Sequence, residues 1–228
     1  MSSARKQLAK LERRNVCFNL SPAEHKAVCV HEAAHAISAM MLGIPIGEEG
    51  ISVFKHGGVF AGFTDARTAT RYGREINKLT KEDWQDAMCQ NYIGPVAEFR
   101  HRKMIFGEGI EQYIPYWMSD FTAAVGAGTR RTAHESQVCE GEEEWERNST
   151  LVRYCFAMLC FPEREPYSII HGLGEIGALV KGAMLAADKV CTDYAKEIEE
   201  FSEMLVKRGK VTQSECNAFA ENMKGRKQ

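Results

Sequence analysis

The chain has 228 residues, 44% of them hydrophobic, with 29 Lys and Arg against 31 Asp and Glu for a formal net charge of −2. That length and apolar content suffice for one sizeable core, and the near-neutral balance excludes the strongly basic character of a nucleic-acid or membrane-surface protein. No apolar run approaches the roughly 20 residues that span a bilayer and none follows the early charges as in a secretory signal, so the expectation is a cytoplasmic chain without membrane insertion.

Residues 1–20 read as a polar N-terminal arm whose basic positions (Arg5, Lys6, Lys10, Arg13, Arg14) form a solvated face. Residues 21–224 read as a single domain. Ser21 as N-cap, Pro22 at the first helical position and Glu24 three residues after the cap form a capping box, and they predict an amphipathic helix to about Leu42, where Gly43 and Pro45 stop it. Gly50–Lys55 and Val59–Thr64 read as two strands joined by a turn at His56-Gly57-Gly58. Asp65 to Lys78 is polar and loop-like. Thr80 caps a second long helix, with Asp83 three residues on, and Pro95 is expected to kink or split it near Gly94.

Ser119-Asp120 opens a third helix to about Glu135, after an aromatic segment from Tyr113 to Trp117. An acidic patch, Glu140 to Glu146, leads into a helix over roughly Trp145–Cys160. Residues 161–177 are rich in Pro and Gly and show no period. A long amphipathic helix is predicted from about Ala178 to Arg208, then a short one capped by Thr212 with Glu215, giving a helical closing region over about 178–224. The fold class is mainly α, an α+β domain with one small hairpin. The eight cysteines include no C-x-x-C pair, so they read as reduced and mostly buried rather than as thiolate ligands or staples.

His31-Glu32-Ala33-Ala34-His35 is an H-E-x-x-H motif. On a helix, residues four apart lie on one face, so the two imidazoles can take neighbouring corners of a zinc tetrahedron. Glu32 flanks that face and can accept a proton from a water that zinc has acidified. The bare pattern arises by chance in about one chain in a hundred of this size, but here it falls in the middle of a capped helix, the context its chemistry requires. A catalytic zinc needs a third protein ligand. Spacing leaves two carboxylates open, Asp120 and Glu98, and the metzincin H-x-x-G-x-x-H continuation is absent.

Taken in order, Leu20-Ser-Pro-Ala-Glu, Val30–Ala36, the hairpin Ile51-Ser-Val-Phe with Gly57-Gly58 and Ala61–Thr64, Tyr92–Glu98, Ser119–Ala124 and Ala186–Glu215 resemble the protease domain of the FtsH-type, membrane-anchored, ATP-dependent zinc proteases. The resemblance covers roughly residues 20–130 and 180–220. It implies a helical zincin-like fold, zinc held by His31, His35 and Asp120, Glu32 as general base, and Glu98 behind a ligand histidine. It also implies that the hairpin edge (Val59, Phe60, Ala61, Gly62, Phe63) pairs with an extended peptide or unfolded protein substrate by β-addition. The departures are the lack of a G-x-x-x-x-G-K-[ST] loop, Ala34 and Pro95 where the family has Gly or small residues, and the aromatic segment inserted before Ser119. The expected activity is therefore ATP-independent peptide hydrolysis. A zinc hydrolase acting on a non-peptide amide, a catalytically silent zinc-binding interaction module, and a homo-oligomer or separate partner protein all stay open. Tyr113, Tyr116 and Trp117 line a side-chain pocket near Asp120 on this reading, or else are ordinary core or a surface plug.

Overall fold

The structure is a computed structural model that describes residues 20–56, 58–66, 80–106, 117, 120–121, 123–124 and 174–226. The N-terminal arm, the loop over 67–78, Tyr113, Tyr116, the acidic patch, the helix expected over 145–160 and most of that expected over 119–135 lie outside the described residues. Within them the protein is mainly helical, with one small antiparallel sheet: α1 (Pro22–Leu42), β1 (Ile46–His56), β2 (Val59–Ala66), α2 (Lys81–Phe106), α3 (Gly174–Asp193), α4 (Ala195–Arg208), β3 (Lys210–Val211) and α5 (Gln213–Gly225).

Helix α1 starts and stops where the sequence places it. Ser21 Oγ accepts the N–H of Glu24, Pro22 occupies the first turn, and Gly43 ends the helix in the left-handed region at φ 65°. It is not amphipathic, however. Every residue from Cys29 to Ala39 is buried, because α2, α4 and both long strands pack around it. The small residues Ala33, Ala34, Ala36 and Ala39 permit that close approach. His31, Glu32 and His35 are thereby carried into the middle of the protein.

The hairpin is longer than its sequence signal and gains a third strand, giving the order β2-β1-β3. Gly50 explains part of this. It sits at φ 67°, within an irregularity between Ile46 and Ile51, and a Cβ there would lie 2.3 Å from the Val211 carbonyl oxygen. Only glycine lets β3 come that close. Strand β2 is left at the sheet edge.

Helix α2 begins on a box in which Asp83 N–H donates to Thr80 Oγ1 and Thr80 N–H to Asp83 Oδ2. It continues through Pro95 as one helix of 26 residues, correcting the expected split. Packing along α1 and α3 holds it together across the missing N–H. The long closing helix, in contrast, is two: the chain turns at Tyr194 (φ −121°, ψ 23°). Tyr194 N–H closes α3 on the Val190 carbonyl at 3.0 Å, and its own carbonyl accepts the Ile198 N–H at 2.9 Å to open α4. The turn lets α3 lie on α2 and α4 on α1. Thr212 and Glu215 form the expected capping box at the start of α5.

Candidate metal centre

His31 and His35 project from the same side of α1, and their Nε2 atoms lie 3.1 Å apart. The opposite nitrogen of each ring is spoken for. His31 Nδ1 donates to Glu98 Oε2 at 2.7 Å, and His35 Nδ1 donates to the Gln90 carbonyl at 2.7 Å. A carboxylate and a carbonyl can only accept, so both Nδ1 atoms carry a ring proton and the two Nε2 atoms are turned towards each other. The Asp120 carboxylate completes the group, with Oδ2 3.2 Å from His31 Nε2 and Oδ1 3.9 Å from His35 Nε2. Two ring nitrogens and a carboxylate converging in a buried place call for a cation or a proton between them.

The spacing suits a metal. Ligands about 2.0–2.1 Å from a tetrahedral zinc lie about 3.3 Å from one another, and the separations of 3.1, 3.2 and 3.9 Å bracket that figure. Among the described residues, His31, His35 and Asp120 form a group that could hold a metal ion. Such a group does not by itself specify zinc.

Glu98, the other carboxylate left open by spacing, faces the back of the His31 ring. Its Oε2 receives both His31 Nδ1–H and Trp117 Nε1–H, each at 2.7 Å, and its Oε1 receives Arg102 Nε–H at 2.6 Å. Arg102 also donates to both oxygens of Glu24 on α1. Burial works against the Glu98 anion, yet the bond from His31 and the Arg102 charge hold its carboxyl down at about 2. Burial also lowers basicity at His31, but Asp120 and Glu98 on its two sides keep it well above the ordinary histidine value. His35 is pushed down to about 4 by burial and by the charge on His31.

Glu32 is buried beside this group. Thr64 Oγ1 donates to its Oε2 at 2.6 Å, which fixes the carboxylate from strand β2. Burial raises its carboxyl to about 7, against the pull of His31 and Thr64.

Two glycines make room for these side chains. A Cβ on Gly62 would stand 2.2 Å from Glu32 Oε1, and one on Gly94 would stand 2.3 Å from His35 Nε2 and 2.5 Å from His31 Nε2. In the sequence Gly94 marks the place where Pro95 is expected to break α2 and falls within the Tyr92–Glu98 resemblance. Its position in a helix interior, where glycine is disfavoured, is the signal that marks it as a spacer. Thr64, Gln90 and Arg102 carried no such signal.

Of the five hairpin residues expected to bind substrate, Gly62 is placed against Glu32. Phe60 is half-buried and stacked on His25 with ring centroids 4.5 Å apart, and Phe63 is exposed on the opposite face of the strand. Val59 and Ala61 are half-buried on β2, whose outer edge has no paired strand among the described residues. Trp117 is fully buried against Phe99 and Phe121 rather than lining a pocket. The four cysteines in the described residues, Cys29, Cys89, Cys191 and Cys216, are buried and free. No described helix is long and apolar enough to cross a membrane.

No protein-family model matches the chain, and no curated protein matches it.

Proposed function

We propose that the protein is a zinc-dependent metallopeptidase with an FtsH-protease-like, zincin-type helical domain, and that it hydrolyses peptide bonds without ATP. The observation that carries this reading is the convergence of His31 Nε2, His35 Nε2 and the Asp120 carboxylate beside a buried, hydrogen-bonded Glu32. A structural metal site would close its fourth position with a protein ligand and would have no use for a base at its flank.

On this reading His31 and His35 hold the metal through Nε2, Asp120 through a carboxylate oxygen, and Glu98 and Gln90 keep the two rings turned towards it. Zinc bound there supplies Lewis acidity, bringing the pKa of a water to about 7 and polarising a carbonyl. Glu32 Oε1 takes the proton from the attacking water as its oxygen bonds to the peptide carbon. It returns that proton to the amide nitrogen as the carbon–nitrogen bond breaks. Thr64 keeps Oε2 occupied, so that Oε1 remains the working atom. An extended peptide, or a segment of unfolded protein, adds to the β2 edge next to Gly62. The free, buried cysteines fit a reducing compartment such as the cytoplasm.

The test pairs metal analysis with hydrolysis of denatured casein and a mixed peptide library. Glu32→Gln should retain about one zinc per chain and lose hydrolysis by two orders of magnitude or more. Parental hydrolysis by that variant would remove Glu32 from the reaction, and a parent chain without hydrolysis of either substrate would remove the peptidase reading.

A further inference from the structure

The aromatic segment inserted before Ser119 ends in a side chain that the proposed chemistry does not use. Trp117 is fully buried, and its ring is packed edge-on against Phe99 at 6.4 Å and Phe121 at 6.5 Å between centroids. Packing alone would satisfy the ring and leave the indole N–H to find any acceptor. The acceptor it finds is Glu98 Oε2, the same oxygen that receives His31 Nδ1–H. Three residues later comes Asp120, whose carboxylate stands at His31 Nε2. Both positions are helical, and they stand three residues apart in the sequence. His31 is thereby gripped front and back by one short segment, directly through Asp120 and indirectly through Trp117 and Glu98.

We propose that Trp117 is a positioning residue of the metal centre: its N–H bond to Glu98 sets the Asp120 segment in register with His31. The inference rests on the metal-site reading above. An indole N–H suits the task because it donates only and stays neutral, so it fixes the Glu98 oxygen without competing for the ring proton of His31. Arg102 holds the other oxygen, leaving Glu98 little freedom to turn. Loss of the indole bond releases both Glu98 and the segment that bears Asp120.

The experiment measures zinc affinity of the full chain by competition with a chromophoric chelator. Trp117→Phe, which keeps an aromatic ring and removes the N–H, should bind zinc about 10–100-fold more weakly, the usual size of an effect one shell behind a ligand. Glu98→Gln should fall in the same range. The double variant should bind no more weakly than the weaker single one, because the two act through one bond. If Trp117→Phe does not fold, 3-benzothienylalanine at position 117, which has the shape of tryptophan without its N–H, should give the same loss. Affinity within twofold of the parent in the folded variant, or losses that multiply in the double variant, overturns the proposal. A parent that binds no zinc removes the metal-site reading and this inference together. A parent that binds zinc beside a Trp117→Phe chain that binds it equally well removes this inference alone.

Discussion

At the scale of single residues, the site depends as much on atoms that are missing as on those present. Gly94→Ala would add a methyl group within 2.5 Å of both Nε2 atoms. Alanine favours a helix over glycine by about 1 kcal/mol, so circular dichroism should report an intact α2 while calorimetry reports zinc affinity down by at least 100-fold. Unchanged affinity would mean that the metal does not sit in front of Gly94. The two carboxylates should separate in the same assay. Asp120→Ala should reduce zinc occupancy far below that of Glu98→Ala, since Glu98 faces the ring from behind; the reverse order would make the site a two-His, one-Glu centre. The histidine pair and Glu32 are legible in the sequence because their relation is local, one turn of one helix. Gln90 and Glu98 reach their histidines across 55 and 67 residues. No spacing rule spans such gaps. The choice between Asp120 and Glu98 needed a resemblance for that reason.

At the scale of elements, the sequence reads starts and stops well and surroundings badly. Ser21, Gly43, Thr80 and Thr212 act within a turn of themselves, and each stands at the helix end assigned to it. The burial of α1 on all sides depends on what packs around it, and the turn at Tyr194 depends on two separate partners for α3 and α4. Neither leaves a periodic trace. Strand β3 is only Lys210–Val211, too short for alternation to show, and its place is prepared by Gly50 some 160 residues earlier. Gly50→Ala should therefore destabilise the fold by about 2 kcal/mol or more, combining positive φ with the contact to the Val211 carbonyl. Urea unfolding would measure it, and a loss below about 0.5 kcal/mol would show that β3 yields easily.

At the scale of the whole molecule, the candidate centre ties together segments that are distant in sequence: α1 through His31 and His35, α2 through Gln90 and Glu98, and the segment carrying Asp120 and Trp117. A ligand that binds only the folded state stabilises it by about 4 kcal/mol at a thousandfold excess over its Kd. For a chain of this length that corresponds to a Tm rise on the order of 10 °C. Zinc should produce such a rise and a chelator should reverse it. Equal Tm values with and without the metal would mean that these segments are joined by packing and by the buried Arg102 network alone.

Pro95 gives that assembly a mechanical property. With no N–H to offer the Asn91 carbonyl, it leaves a gap in the ladder of α2 one residue past Gly94. Gln90, which turns His35, precedes the gap; Glu98, which turns His31, follows it. The two rings are thus steered from opposite arms of one rod, with the candidate metal position lying at the joint. A change in the angle between those arms would therefore change the separation of the two Nε2 atoms, which makes the glycine–proline step the pivot on which the geometry of the candidate site depends.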